Sequence, residues 1–304
     1  MQTPRIFSSS IAKIRRKEEQ ELIALIHTCN VYSVLQPIIS LQDGSVFGYE
    51  ALGRGPAGSL LENPEALIRC ATKNCRLFAV EYLFRDAALV AARQIPVGLR
   101  LFINVNPNII HEPQFRSGLT LERLQEYALS AEHVVFELTE REAVQHPENF
   151  KRMLAHYKQQ GYHIAIDDAG AGYSGLNLIS DVQPHFVKLD MCLIRSIDRD
   201  KIKQALVKGM QEFAKLTNTM LVAEGIETEA ELATLIALGV PLGQGYFIQR
   251  PSAVVQPITP HVIAAIQQYA ALKMIKEQRQ PCTCPYKNAA PGKLLSCQKM
   301  CCQL

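Results

Sequence analysis

No uninterrupted apolar run in this sequence approaches the roughly 20 residues that a transmembrane helix needs. The N-terminus also lacks the continuous apolar core of a signal peptide, since Arg5, Arg15 and Arg16 surround no such core. Neither a membrane anchor nor secretion is indicated. We therefore expect a cytoplasmic protein.

The chain also lacks a strong charge of either sign. Its formal net charge is +3, and the basic residues from Lys13 to Lys17 are followed at once by Glu18, Glu19 and Glu21. We interpret this segment as a solvated helix face, so binding of long nucleic acid is not expected. The histidines are scattered and include no pair at the i, i+4 spacing of a zinc-binding helix.

What the sequence does contain is an alternation of strand-like apolar runs and amphipathic stretches. Its 304 residues, 48% hydrophobic and 20% charged, suffice for one barrel with short extensions. Polar groups recur near the ends of the runs: Glu50 in 46–52, Asn104 in 101–105, Glu137 in 134–139, Lys188 in 186–189, Glu224 in 221–226 and Gln244 in 242–248. This pattern predicts an α/β fold, a (β/α)8 barrel of the triosephosphate isomerase type.

Turn and helix signals divide the chain further. Asp43 and Gly44 form a strong hairpin signal, so the first strand should be antiparallel. We predict a polar segment and amphipathic helix over residues 1–30, the barrel over 31–251, a C-terminal helix within 252–280 and a cysteine-rich tail over 281–304. The N-terminal helix is expected to cap the bottom of the barrel, with pairing to a partner helix as the alternative.

The tail carries five cysteines in an unusual spacing: Cys282, Cys284, Cys297, Cys301 and Cys302. A structural zinc site usually has two Cys-x-x-Cys pairs, and the spacing here matches that pattern only in part. We expect a flexible tail with incidental thiols. Metal binding and redox sensing remain open alternatives.

Asp167 and Asp168 lie where the apolar run 163–166 meets a glycine-rich segment. Adjacent like charges raise each other's pKa unless they are neutralised, and oxygen-liganded metals are a common solution at a strand end. A turn that merely begins with aspartate is the simpler alternative. The recurrence of carboxylates at other strand ends favours the metal site.

Eight short motifs follow one another in an order that identifies a family. They are Gln36-Pro37-Ile38, Glu50-Ala51-Leu52-Gly53-Arg54, Ile103-Asn104-Val105, Glu137 to Glu140, Asp167 to Ser174, Lys188-Leu189-Asp190, Ala223 to Glu227 and Gln244-Gly245-Tyr246. Together they resemble the EAL domain, a family of bacterial cyclic di-GMP phosphodiesterases. The resemblance spans about Val31 to Pro251. It implies a barrel with an antiparallel first strand, hydrolysis of cyclic di-GMP to linear pGpG, and a homodimer.

The resemblance also implies a role for each residue. Two Mg²⁺ or Mn²⁺ ions would be held, one by Glu50, Asn104, Glu137 and Asp167, the other by Asp167, Asp168 and Glu224, with Asp167 bridging. The ligands include no His or Cys, which favours these ions over zinc, and Ca²⁺ is expected to inhibit. Lys188 would donate to the attacking water or the phosphate, and Glu224 would accept the proton of the water. Substrate contacts would come from Gln36, Arg54, Asp190, Glu227 and Gln244, and Glu140 would anchor the loop after Asp168.

Three alternatives stay open on the sequence alone. A catalytically inactive receptor would bind cyclic di-GMP without hydrolysing it. A dinucleotide-binding oxidoreductase is suggested by Gly170-x-Gly172-x-x-Gly175, although two aspartates directly before these glycines would repel a phosphate. A scaffold would use the tail or the N-terminal helix to bind protein partners.

Overall fold

The computed structural model describes residues 4–279, except 107–108, 110–113, 117, 128, 140–146, 171–178 and 180–181. Three predictions fall outside the described residues: the anchoring role of Glu140, most of the glycine-rich loop after Gly170, and the cysteine-rich tail. Among the described helices, none combines the length and the apolar character that crossing a bilayer requires.

Eight strands close into one barrel in chain order. The first strand, β1, runs antiparallel to both of its neighbours, β2 and β8, and all other neighbouring pairs are parallel. The bounds are β1 Tyr32–Ser40, β2 Val46–Arg54, β3 Arg100–Asn104, β4 Val134–Thr139, β5 His163–Ala169, β6 Phe186–Leu189, β7 Met220–Ala223 and β8 Leu242–Gly243. The predicted barrel with an antiparallel first strand is confirmed. The oxidoreductase alternative rested on an open-sheet dinucleotide-binding fold, and the closed barrel contradicts that fold.

The reversal of the first strand is produced by a tight turn. Gly44 has φ +81°, a left-handed conformation that favours glycine, and the Asp43 carboxylate accepts hydrogen bonds from the Ser45 backbone N–H and hydroxyl at 3.0 and 2.7 Å. Tyr32 pairs with Arg54 at the other end of this hairpin. The chain therefore enters β1 at the face where the parallel strands end.

Helices cover the outside of the barrel. Several begin where asparagine, threonine or proline provides a cap or a first turn, as at Asn63, whose side chain accepts the Glu65 N–H at 2.8 Å. The bounds are α1 Pro4–Thr28, α2 Pro64–Lys73, α3 Leu77–Ala92, α4 Leu119–Glu126, α5 Pro147–Gln159, α6 Met191–Ile194, α7 Lys201–Thr217, α8 Glu229–Leu238 and α9 Pro260–Arg279.

The N-terminal helix does not cap the bottom of the barrel. Leu22 and Leu25 of α1 are buried in a cluster with Leu67 of α2 and Val80 of α3, and Glu21 accepts the backbone N–H of Leu60 in the loop after β2. The reason is the antiparallel first strand. Because β1 starts at the face where the other strands end, the helix that precedes it lies beside that face.

Two neighbouring histidine rings, tilted by 43° to each other, lie at the opposite end of the barrel. The ring centroids of His163 and His185 are 4.2 Å apart, and His185 Nδ1 accepts the backbone N–H of Ile164 at 3.1 Å. Burial, together with His163, lowers the pKa of His185 to about 4. A histidine in an unfolded chain titrates near pH 6.5.

This difference predicts a loss of stability in mild acid. Between about pH 6.5 and 4 the unfolded chain binds more protons at position 185 than the folded chain does. The contribution of His185 is therefore fully present above pH 6.5 and declines as the pH falls towards 4. In His185→Asn the side-chain oxygen can still accept the Ile164 N–H but does not titrate, so urea midpoints should fall less steeply over this window. If the urea midpoints of parent and variant depend equally on pH, His185 is not the cause of the loss of stability.

Candidate active site

The candidate site is one layer of side chains inside the barrel. Because strand side chains alternate, residues two apart on a strand point to the same face. An apolar layer, Ile38, Phe102, Val135, Ala165, Phe186, Val222 and Leu242, fills the lower barrel. Two residues further on the parallel strands come Asn104, Glu137, Asp167, Lys188, Glu224 and Gln244. The polar layer therefore lies directly above a layer of buried, packed apolar side chains.

Lys188 lies at the centre of this layer, only 1% exposed. Its Nζ is 2.7 Å from Glu137 Oε1 and 2.8 Å from Glu224 Oε1, and 3.4 Å from both Glu50 Oε2 and Asp167 Oδ1. Burial alone would lower the pKa of Lys188, but the four carboxylates raise it well above its ordinary value. Lys188 is thus held as an ammonium ion.

The layer is strongly acidic even with this ammonium. Five carboxylates belong to it: Glu50, Glu137, Asp167, Asp168 and Glu224. Burial raises the pKa of Glu137 and of Glu224 well above their ordinary range, and neighbouring carboxylates add to the effect. For Glu50, burial acts to raise the pKa, but the Lys188 ammonium and the hydrogen bonds that Glu50 makes, among them those from Gln244 and Asn104, together lower it. All five carboxylates can therefore be ionised together only when further positive charge is present in the layer.

Asp167, Asp168 and Glu224 each offer a carboxylate oxygen, and these oxygens lie within 4.8 Å of one another. Consecutive strand residues normally point to opposite faces, but the pairing of β5 with β6 shifts register between Ile166 and Ala169. Asp168 also has φ +59°, which is uncommon for a residue with a side chain. This irregularity allows both aspartates to reach one point.

Glu50 accepts hydrogen bonds from two amide side chains, and a third amide side chain contacts one of these two. Gln244 Nε2 donates to Glu50 Oε2 at 2.5 Å and lies 3.3 Å from Gln36 Oε1, while Asn104 Nδ2 donates to Glu50 Oε1 at 3.0 Å. Gln36 in turn donates to the Gln249 carbonyl at 3.1 Å. Both Gln36 and Gln244 are buried. In this structure they orient a carboxylate, whereas the sequence suggested substrate contacts.

The remaining predicted residues lie around this layer. Arg54 ends β2 and donates from Nη1 to the Gly53 carbonyl at 2.8 Å. Asp190 caps the short helix α6 by accepting the Cys192 N–H at 2.7 Å. Glu227, in the loop after β7, forms an ion pair with Arg195 and has a side chain that is 43% exposed.

A cavity of about 420 Å³ adjoins the acidic layer and is of the size that small-molecule sites occupy. Its lining combines apolar side chains such as Ile68 and Phe84 with carboxylates of the acidic layer. The lining residues are Glu50, Ala51, Leu52, Gly53, Arg54, Pro64, Glu65, Ile68, Glu81, Phe84, Ile103, Asn104, Val105, Asn106, Glu137, Thr139, Asp167 and Asp168.

The sequence interpretation missed Glu81, which reaches the cavity from helix α3. It is 7% exposed, and burial raises its pKa to about 7, although Arg85 and the Asn106 backbone N–H favour the ionised form. It lies in a helix and not at a strand end, so the strand-end pattern cannot reveal it. The available signal is a carboxylate within the mostly apolar stretch Leu77–Ala92.

The donor set fits hard divalent cations. Carboxylate and amide oxygens are the ligands that Mg²⁺, Mn²⁺ and Ca²⁺ prefer, and three carboxylates already converge within 4.8 Å. The excess of negative charge in the buried layer also favours bound cations, because buried charges need partners of opposite sign.

Comparison with known proteins identifies relatives of this chain. The sequence profile of the EAL domain matches residues 19–251. The "Probable cyclic di-GMP phosphodiesterase PdeN" of Escherichia coli K12 is 30% identical over 250 residues, which cover 79% of this chain and 47% of that protein. The chain thus spans about half the length of that curated relative.

Solved structures with the same fold contain the dinucleotide. A standalone EAL protein of Vibrio cholerae O395, in a form with bound c-di-GMP, has a TM-score of 0.68 and 36% identity, and the match covers 76% of this chain and 96% of that one. BlrP1 of Klebsiella pneumoniae, in complexes of the dinucleotide with calcium or manganese, gives TM-scores of 0.70 and 0.69 at 30% and 31% identity. Those matches cover 75% of this chain and 58% of BlrP1.

Proposed function

The chain belongs to the EAL domain family, and on this basis we propose that it is a metal-dependent phosphodiesterase that hydrolyses cyclic di-GMP to linear pGpG. The observation that supports the proposal most directly is the buried acidic layer. Four carboxylates lie within 3.4 Å of Lys188 Nζ, and Asp168 joins two of them in a cluster of oxygens. A layer of this charge suits an anionic substrate only when cations accompany that substrate.

We propose the ligand sets that the family resemblance implies, with Glu50, Asn104, Glu137 and Asp167 around one Mg²⁺ or Mn²⁺ and Asp167, Asp168 and Glu224 around a second. When bound, such ions supply the positive charge that makes water a stronger nucleophile and stabilises the departing oxygen. The grouping of Asp167, Asp168 and Glu224 oxygens within 4.8 Å supports the second set.

The side chains of this chain then have distinct tasks. Glu224 accepts the proton of the attacking water, and the Lys188 ammonium donates a hydrogen bond to a phosphate oxygen as negative charge develops there. Arg54 binds a nonbridging phosphate oxygen at the mouth of the cavity. The new bond joins the water oxygen to phosphorus. The bond to the sugar 3′ oxygen breaks, which leaves the phosphate on the 5′ end of pGpG.

The extent of the functional unit is also a proposal. The family resemblance implies a catalytic unit over residues 31–251 that acts as a homodimer, and we propose, as the sequence led us to expect, that it works in the cytoplasm. Cyclic di-GMP is its proposed substrate.

A product assay and a calorimetric binding measurement, made on the same protein, together separate hydrolysis from binding. Purified protein is incubated with cyclic di-GMP and Mg²⁺, Mn²⁺ or Ca²⁺, and the products are resolved by chromatography, with EDTA as the metal-free control. We expect pGpG with Mg²⁺ or Mn²⁺, and none with Ca²⁺ or EDTA. Binding without product in Mg²⁺ and Mn²⁺ would identify the inactive receptor. Absence of both binding and product would refute the proposed function.

A further inference from the structure

The chemistry proposed above assigns no residue to the bases of the substrate. Cyclic di-GMP carries two guanines, and every base has a flat π-face that aromatic side chains can bind by stacking. Polar side chains alone make the substrate contacts that the family resemblance implies: Gln36, Arg54, Asp190, Glu227 and Gln244. Such groups suit phosphate oxygens and the edges of bases. The face of a base requires a different surface, and the cavity beside the acidic layer contains one.

Phe84 of α3 supplies an aromatic ring to the lining of this cavity. The ring lies against β2 at Gly53, where an added Cβ would be 2.6 Å from ring atom Cδ1 and 2.8 Å from Cγ and Cε1. These distances are too short for a real contact, so the ring occupies the space that a side chain at position 53 would take. Phe84 also packs against the buried cluster that contains Leu67 and Val80. The ring is therefore fixed between β2 and this cluster.

The position of the ring relative to the acidic layer suits a nucleotide. Gly53 follows Glu50 by three residues on β2, and a strand rises by about 3.3 Å per residue, so Gly53 lies about 10 Å nearer the mouth of the barrel. Because strand side chains alternate, Glu50 points into the barrel, whereas a side chain at position 53 would point towards α3. Both residues line the cavity, which therefore extends from the acidic layer to the ring. A phosphate beside Glu50 leaves this extension for the attached nucleoside.

An aromatic ring at this place can contribute much of the affinity for a purine. Loss of an aromatic side chain on which a base stacks typically weakens binding by about 5- to 100-fold. A ring that its neighbours already hold loses little conformational freedom when the ligand binds. Ile68 adds apolar surface to the same cavity, and Arg54 directly follows Gly53. Contacts to a base and to its phosphate would thus adjoin at the end of β2.

We propose that Phe84 is a substrate-binding residue whose ring, seated in the space that Gly53 leaves beside β2, stacks on one guanine of cyclic di-GMP. The inference rests on the proposed function for the identity of the ligand, but it concerns binding and requires no turnover. It assigns Phe84 to substrate affinity, and not to metal binding or to the bond-breaking step.

The first test uses a fluorescent reporter at the same position. The sequence contains no tryptophan, so Phe84→Trp introduces a single indole, whose fluorescence a stacked guanine quenches. Phe78→Trp is the matched control on the same helix. Phe78 pairs with Tyr82, with ring centroids 6.4 Å apart, and does not belong to the lining of this cavity. Both variants are titrated with cyclic di-GMP in Ca²⁺.

Two further variants measure how much the ring contributes to affinity. Phe84→Leu keeps an apolar side chain but removes the aromatic face, and Phe84→Tyr keeps that face. Calorimetry gives the affinity of parent and variants for cyclic di-GMP in Ca²⁺, and separately for Mn²⁺ without substrate. A turnover assay gives kcat and KM for each protein.

We expect cyclic di-GMP to quench Phe84→Trp and to leave Phe78→Trp unchanged. Phe84→Leu should bind cyclic di-GMP about 5- to 100-fold more weakly and show a corresponding rise in KM, with kcat and Mn²⁺ affinity within about 3-fold of the parent. Phe84→Tyr should stay within about 3-fold of the parent in every measurement, since the stacking face is retained. A merely structural role would instead lower kcat and Mn²⁺ affinity together with substrate affinity.

Three results would overturn the inference: parental affinity for cyclic di-GMP in Phe84→Leu, a tyrosine variant as impaired as the leucine variant, or equal quenching of Phe78→Trp and Phe84→Trp. If Phe84→Trp does not bind cyclic di-GMP, the affinities of the leucine and tyrosine variants decide. Failure of the proposed function is distinguishable. A parent that binds without hydrolysis would refute the phosphodiesterase and leave the stacking comparison intact, whereas parental affinity of Phe84→Leu beside normal hydrolysis would refute the stacking alone.

Discussion

Asp167→Asn is expected to abolish hydrolysis of cyclic di-GMP. Asp167 Oδ1 is 3.4 Å from the Lys188 ammonium, and a carboxylate oxygen of Asp167 also belongs to the cluster with Asp168 and Glu224. This one carboxylate therefore lies both beside the Lys188 ammonium and in the cluster with Asp168 and Glu224. The neutral amide removes charge from the position that both proposed ions share, and turnover should fall by at least about 10³-fold, equivalent to about 4 kcal/mol.

The control is the same chemical change at the other end of the barrel. Asp43→Asn places Asn-Gly in the hairpin between β1 and β2, a sequence that favours the same tight turn. Its turnover should match that of the parent within about 2-fold, because the hairpin is remote from the acidic layer. Turnover of Asp167→Asn within tenfold of the parent would refute the proposal that two metal ions share this carboxylate.

The ends of the parallel strands were predictable from one pattern. On these strands a polar residue lies two positions after the apolar residue that fills the lower barrel. The runs 134–139 and 186–189 coincide with β4 and β6. The predicted strand 242–248 was too long, since β8 ends at Gly243. Ile248 is buried in the core by a loop, and Phe247 N–H donates to the Ile226 carbonyl. An apolar run thus predicts that its residues are buried. Which of the buried residues pair as strands depends on how the barrel closes.

The arrangement within the acidic layer was less accessible to sequence reasoning. The strand-end pattern places Lys188 at the same face as the carboxylates, but its central position depends on the diameter of the closed barrel. Gln36 belongs to the one antiparallel strand and reaches the layer from the opposite chain direction. Glu81 comes from a helix, and its place in the wall of the cavity depends on how α3 packs beside β3.

The position of the Asp168 side chain could not be predicted from the alternation of strand residues. Strand alternation predicts that two consecutive strand residues such as Asp167 and Asp168 point to opposite faces, and the apolar run in the sequence ends earlier, at Ile166. The strand in fact continues to Ala169, with a register shift and a positive φ at Asp168. An irregularity of the backbone, which no residue pattern specified, brings the two carboxylates together.

Glu224→Gln is expected to separate catalysis from binding. Glu224 Oε1 lies 2.8 Å from Lys188 Nζ, and one of its oxygens is within 4.8 Å of the two aspartates. Glutamine keeps the size and one acceptor oxygen but cannot take a proton from water. Turnover should therefore fall by about 10² to 10⁴, the range for a lost general base.

Affinity for cyclic di-GMP should survive better than turnover in this variant. Arg54 and the cavity beside Glu50 and Asn104 are unchanged, so the phosphate and the remainder of the dinucleotide keep most of their contacts. Binding is measured by calorimetry in Ca²⁺, which accepts oxygen ligands and is expected not to support turnover, beside a turnover assay in Mg²⁺ and Mn²⁺.

Glu229→Gln provides the matched control for this substitution. Glu229 begins α8 and accepts the Tyr269 hydroxyl at 2.9 Å, a bond that a glutamine oxygen can also accept. Both turnover and affinity should remain parental there. If Glu224→Gln hydrolyses at the parental rate, Glu224 is not the proton acceptor. If its affinity in Ca²⁺ falls as far as its turnover, Glu224 acts in holding the ligand, because a lost base alone leaves ground-state binding intact.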